Sequence, residues 1–255
     1  MIYRTRFALL LAIAMLLVMA CTGPSTRQDQ SNEHRAAVIN VQLGIAYLNK
    51  GNLKIAKQKL ERALSQEPDL ALAHWSYALL LQRLSNHEAA EEHFIKSIEL
   101  DPQDAKARNN YGRLLCGEGR LEEAFQQFKA AVENPLYDDP GSAYTNAGIC
   151  ALRKPDMQLA ETQFRKALKA DPIQSRALYQ MAKLTFGKGH FLQSRAFIQR
   201  YERSAAHTPG SLWLAYRTEK NLENPQQAWK YGQRLKQQYP ESRETTNLLE
   251  LEHDG

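Results

Sequence analysis

The hydrophobic pattern changes character along the chain. Residues 7–20 are an unbroken apolar run that follows Arg4 and Arg6 and stops at Cys21. Residues 22–34 read TGPSTRQDQSNEH and hold no aliphatic side chain. Beyond residue 36 apolar and small residues recur with helical spacing. Small residues stand at Gly44, Ala78, Gly112, Gly148 and Ala182, and further small residues follow at Ala56, Ala90, Ala124, Ala160 and Ser194, with Ala228 extending the series. Four positions after each of these comes a bulky group, Leu60, Phe94, Phe128, Phe164 and Ile198, and three positions later Ala63, Ser97, Ala131, Ala167 and Tyr201. The i, i+4, i+7 spacing places each such triplet on one face of a helix, which predicts a buried seam between neighbouring helix pairs.

Prolines at 68, 102, 172 and 240 close most of these units, and Gly51, Gly119 and Gly189 stand where the first helix of a pair must turn into the second. The repeat length is 34 residues, the period of the tetratricopeptide (TPR) repeat, which the pattern resembles. The fold expected is an all-α superhelical solenoid of about six helix–turn–helix repeats. They are placed at residues 37–70, 71–104, 105–138, 141–174, 175–208 and 209–242. Residues 134–140, with two prolines, lengthen one junction into a loop. The sixth repeat departs from the pattern, with Tyr216 where a small residue is expected and Gly232 where a bulky one is. Residues 243–255 are expected as a C-terminal cap or tail.

Basic residues before a short apolar run mark residues 1–20 as a signal peptide, the run being shorter than the roughly 20 residues that span a bilayer. The segment from Leu17 to Cys21 resembles a bacterial lipobox, which implies a lipid on Cys21. The alternatives are an ordinary cleavage site beside a chance cysteine, or an uncleaved anchor. By resemblance, Thr22, where inner-membrane lipoproteins often carry Asp, directs the protein to the outer membrane, facing the periplasm. Residues 21–36 are then the lipidated N-terminus and a flexible tether, too polar to fold.

The formal charge of +5 falls to +3 when Arg4 and Arg6 leave with the signal, and no long run of like charge exists, so nucleic-acid binding has no support. His74, His87, His93, His190 and His207 sit at unrelated repeat positions, and nothing suggests a metal site, a cofactor, a small-molecule substrate or catalytic machinery. The chain reads as a non-enzyme. Cys116 and Cys150 fall late in the first helices of adjacent repeats. In an oxidising compartment they are either bridged or buried as thiols.

A TPR array binds ligands with those residues of its first helices that do not serve packing, by resemblance the second, fifth, ninth, twelfth and thirteenth of each repeat. In the first repeat these include Val38, Val41, Ile45 and Leu48, and in the second Leu72, Trp75 and Leu79. Together they predict an apolar partner groove, unless an N-terminal segment folds over it. Farther on the lining turns polar and basic, with Lys106, Asn109, Arg113, Arg176, Lys183, Arg217 and Lys220 among Tyr179, Phe186 and Trp213, which reads either as a second contact zone for an acidic or extended segment or as a solvated inner face.

Lipobox, tether and repeats together resemble the type IV pilus biogenesis and stability lipoproteins, the PilF/PilW-like pilotins. The run from Asn109 to Cys116 with Gly119, the loop at residues 135–140 and the run from Tyr144 to Cys150 add to the likeness. The resemblance implies an outer-membrane lipoprotein whose partner is the pilus secretin, bound through the concave TPR face to promote its outer-membrane localisation and multimerisation. The other reading is a lipid-anchored periplasmic scaffold for cell-wall enzymes or outer-membrane protein assembly.

Overall fold

The computed structural model describes residues 25–253, in which the regular elements are thirteen helices. The expected signal peptide, residues 1–20, and the expected lipidation site Cys21 lie outside the described residues. Two compact units divide at Pro102 and Gln103. The first holds α1 (Ser25–Asn49), α2 (Leu53–Gln66), α3 (Ala71–Arg83) and α4 (His87–Leu100). The second holds α5 (Ala105–Gly117), α6 (Leu121–Glu133), α7 (Pro140–Arg153), α8 (Met157–Ala170), α9 (Ser175–Gly187), α10 (Phe191–Glu202), α11 (Pro209–Asn221), α12 (Pro225–Gln238) and α13 (Arg243–His253).

Short polar side chains start many of these helices by accepting the free amides of a first turn. Asn52, Asn86, Asp104, Asp139, Asp156 and Asn224 do so, and Thr208 forms a reciprocal capping box with Ser211. Inside the pairs, Gly51, Gly119 and Gly189 take φ of 75°, 83° and 75°, which lets the chain reverse at no steric cost.

Packing within a pair follows one rule of complementary volume. The small residue of the first helix faces the bulky residue of the second: a Cβ built on Gly44 would lie 2.5 Å from Leu60, one on Gly112 2.7 Å from Phe128 and one on Gly148 2.5 Å from Phe164. In the sixth pair the sizes are exchanged. Tyr216 on α11 reaches across to Gly232 on α12, and Leu248 of α13 fills the remaining space. The departure from the repeat pattern is therefore a compensated swap, and α13 packs on α11 and α12 through buried Thr245 and Leu248.

The N-terminal boundary differs from expectation. Helix α1 begins at Ser25, so residues 25–36, expected as part of a flexible tether, are helical. Their composition offers nothing to bury, and side chains 31–35 are exposed. Once the packed segment from Ala37 onward has formed, each further helical residue adds a backbone hydrogen bond without a new nucleation cost. His34 Nδ1 lies 2.7 Å from Glu67 Oε2, and Asn40 Nδ2 donates to Gln66 Oε1 at 2.8 Å, which ties α1 to the end of α2.

Candidate functional site

Helix α1 packs against α2 and α3. Its buried stripe is Ala37, Val41, Gly44 and Leu48. Val41 is 0% and Leu48 5% exposed, and both join Ala56, Leu60, Ala63, Ala73 and Leu80 in the core of the first unit. This corrects two of the expected groove residues. Helix α1 lies close enough to α3 to take the fifth and twelfth positions of the first repeat, Val41 and Leu48, out of the inner wall. The same happens at Asn109, Thr145 and Cys116, all buried at those positions in the second unit.

The other expected residues remain within reach of a partner. Val38, Trp75, Ile45 and Leu79 are half-buried, the last two resting on the core, and Leu72 is 36% exposed. Trp75 adds an unusual feature: its Nε1 is shielded from solvent and donates to nothing, alone among buried side-chain polar atoms of the described residues. An unmade buried hydrogen bond costs about 1–3 kcal/mol.

Sequence periodicity missed the exposed large apolar side chains of α1, Ile39 at 48% and Leu43 at 39%. They occupy the third and seventh repeat positions. In α3, α5, α7, α9 and α11 those positions are held by Ala73 and Tyr77, Ala107 and Tyr111, Ala143 and Ala147, Ala177 and Met181, and Ser211 and Ala215, all buried except half-buried Tyr77. Among the described residues no helix covers that face of α1. The signal was present as two aliphatics, one turn apart, at positions reserved elsewhere for packing.

A polar cluster supports α3 from behind. His74 Nε2 lies 2.8 Å from the Pro68 carbonyl, and its Nδ1 is 2.9 Å from His93 Nδ1. Donation to the carbonyl leaves His74 Nδ1 as an acceptor, so His93 supplies the shared proton. Burial, then the neighbouring His74, holds His93 below the usual histidine range. Tyr77 packs edge-on against His93 and donates to Glu61 at 3.1 Å; burial first, then Glu61, pushes its hydroxyl up to about 12. These groups hold the helices together and present no open metal site: among the described residues no three His, Cys, Asp or Glu side chains could hold an ion.

In the second unit Cys116 on α5 and Cys150 on α7 form a disulfide, with Cα atoms 5.8 Å apart. Among the described residues no helix is long and apolar enough to cross a membrane.

Residues 41–105 and 78–143 match the tetratricopeptide repeat family. The type IV pilus assembly protein PilF of Pseudomonas aeruginosa is 31% identical over 241 residues, covering 91% of this chain and 95% of the relative. A solved structure of P. aeruginosa PilF superposes with a TM-score of 0.77 at 29% identity, covering 86% of this chain and 98% of that one. A crystal structure of PilW, described as a widely conserved type IV pilus biogenesis factor, gives a TM-score of 0.74 at 28% identity over 84% and 98%. With repeats, fold and near-full-length similarity in agreement, the chain belongs to the PilF/PilW family of TPR proteins.

Proposed function

We propose that this chain is an outer-membrane lipoprotein that acts as a pilotin, promoting outer-membrane localisation and multimerisation of the type IV pilus secretin. Lipid on Cys21 supplies the membrane address, and the apolar surface of the first unit holds a segment of the secretin subunit. The observation that carries this reading is the bare face of α1, Ile39 and Leu43, together with exposed Leu72 on α3, in a chain similar to PilF along most of its length. Exposed aliphatics on adjacent helices give up water when a partner covers them, worth about 25 cal/mol per Å² before ordering costs. That scale suits a reversible escort.

The test is complementation of a strain lacking the gene. Heat-resistant secretin multimers are followed by gel and located in inner-membrane or outer-membrane fractions. The intact gene should restore outer-membrane multimers. The triple variant Ile39→Glu, Leu43→Glu, Leu72→Glu should fold, as judged by circular dichroism, and fail to restore them. Leu136→Glu, at a loop site 89% exposed, is the matched control and should complement. Multimers that form normally without the gene would refute the pilotin reading, and altered cell shape or a leaky envelope in that strain would favour the scaffold.

A further inference from the structure

The first helices of the second unit carry cations that meet no carboxylate among the described residues. Elsewhere in this unit basic side chains find carboxylates: Arg120 meets Glu123 at 2.7 Å, Lys154 meets Glu122 at 2.9 Å, Arg165 meets Glu161 at 2.7 Å and Arg195 meets Glu219 at 2.6 Å. Arg113 on α5 instead donates to the neutral Asn110 Oδ1 at 3.1 Å, and Arg176 on α9 to the neutral Asn146 Oδ1 at 3.2 Å. Lys183 lies 5.8 Å from the Tyr179 ring, and Arg217 lies 4.6 Å from Phe186 and 5.9 Å from Trp213. All four cations are exposed, and none is in an ion pair among the described residues.

A buried amide relay holds this line in place. Asn146 Nδ2 on α7 donates to Asn109 Oδ1 on α5 at 2.9 Å, and Asn109 Nδ2 donates to the Tyr137 hydroxyl at 3.1 Å. Because Asn146 and Asn109 are buried and spend these donors on each other and on Tyr137, the Asn146 carbonyl faces Arg176 and fixes where its guanidinium sits. Partial desolvation, then the nearby Arg113, pulls Arg176 below the usual arginine range, so the two guanidinium groups repel. The neighbouring acids do not relieve this. Asp138 is taken by Lys106 at 2.9 Å, and Glu244 on α13 acts on Tyr179.

We propose that Arg113, Arg176, Lys183 and Arg217 form a binding site for an extended acidic segment of a partner protein, whose carboxylates supply the missing counter-charges. Guanidinium forks with free donors suit planar carboxylates. The half-buried rings of Tyr179, Phe186 and Trp213 beside the cations offer apolar contact to the side chains between the acids. With first helices about 10 Å apart, a strand running from α5 to α11 covers about 30 Å, or about nine extended residues. This site lies in the second unit and does not depend on the apolar surface of the first.

The mature chain tests it directly. The probe is a fluorescein-labelled peptide of about nine residues alternating Glu and Phe, compared with the same peptide carrying Gln for Glu, by fluorescence anisotropy. The Glu peptide should bind, and either the Gln exchange or the double variant Arg113→Gln, Arg176→Gln should weaken binding about tenfold or more. Lys183→Gln, read separately, should weaken it to a lesser degree, and raised salt should act in the same direction. Equal binding of both peptides, or unchanged binding by the double variant with its circular dichroism intact, would overturn the proposal. So would Arg-dependent binding of phosphatidylglycerol vesicles or single-stranded DNA with no binding of the peptide, which would assign the cations to a membrane surface or a nucleic acid.

Discussion

Gly148 is the position where one methyl group tests the packing rule of the repeats. Its Cβ would fall 2.5 Å from Phe164 Cε1, 2.7 Å from Cδ1 and 2.9 Å from Cζ, against an ordinary carbon contact of about 3.5–4.0 Å. The ring cannot swing aside. Phe164 is fully buried among Ala151, Ala160, Ala167, Ala177 and Met181, so relief requires the helices to part by most of an ångström. Overpacking of this kind costs about 1–3 kcal/mol, and the better helix propensity of alanine returns about 1 kcal/mol. Gly148→Ala should therefore destabilise the fold by up to about 2 kcal/mol, whereas the same exchange without a clash would stabilise it. Gly117→Ala is the control, because nothing lies within 4 Å of its Cβ position in the last turn of α5, and it should be neutral or stabilising by up to about 1 kcal/mol. Phe164→Leu alone should cost about 1 kcal/mol, and combined with Gly148→Ala it should cost at least about 1 kcal/mol less than the sum of the two. The assay is urea unfolding followed by far-ultraviolet circular dichroism on all four variants and the parent. If Gly148→Ala matches Gly117→Ala, or if the double variant is additive, the small residue does not serve close approach and the rule is wrong.

Replacing Cys116 and Cys150 together by Ala opens a loop of 34 residues and should lower stability by about 3–4 kcal/mol, seen as an earlier urea midpoint; a midpoint matching that of the oxidised parent would show that the bridge does not constrain the unfolded chain. His207 is buried, with Nδ1 2.8 Å from Ser211 Oγ and Nε2 2.7 Å from Glu202 Oε1; burial first lowers its proton affinity, and the opposing pull of Glu202 does not overcome it. A base whose folded pKa lies below its unfolded value stabilises fully above about pH 6.5, and that stability is lost as pH falls through the folded pKa. Tm should therefore drop between about pH 7.5 and about pH 5, and less in His207→Gln, whose amide does not titrate there; equal slopes would exclude His207 as the cause.

What the chain's one-dimensional pattern determined is the helix pair and its seam. The triplets led by Leu60, Phe94, Phe128, Phe164 and Ile198 are legible because a helix returns to one face every three to four residues whatever surrounds it. Tertiary structure decided which remaining residues are surface. Val41 and Ile39 are both aliphatics on one helix, two positions apart, and no propensity separates them. Val41 is core because α3 approaches that side of α1, and Ile39 is bare because no described helix approaches the other. The exchange of Tyr216 and Gly232 likewise looks like decay along the sequence and becomes complementarity only when α11, α12 and the side chain of Leu248 meet. The unanswered charges of Arg113 and Arg176 belong to the same class. A cation's partner depends on which helices pack side by side, and these two stand 63 positions apart in the chain. Local periodicity sets what must be buried; the identity of the neighbour sets what stays exposed, and exposure is what a binding surface is made from.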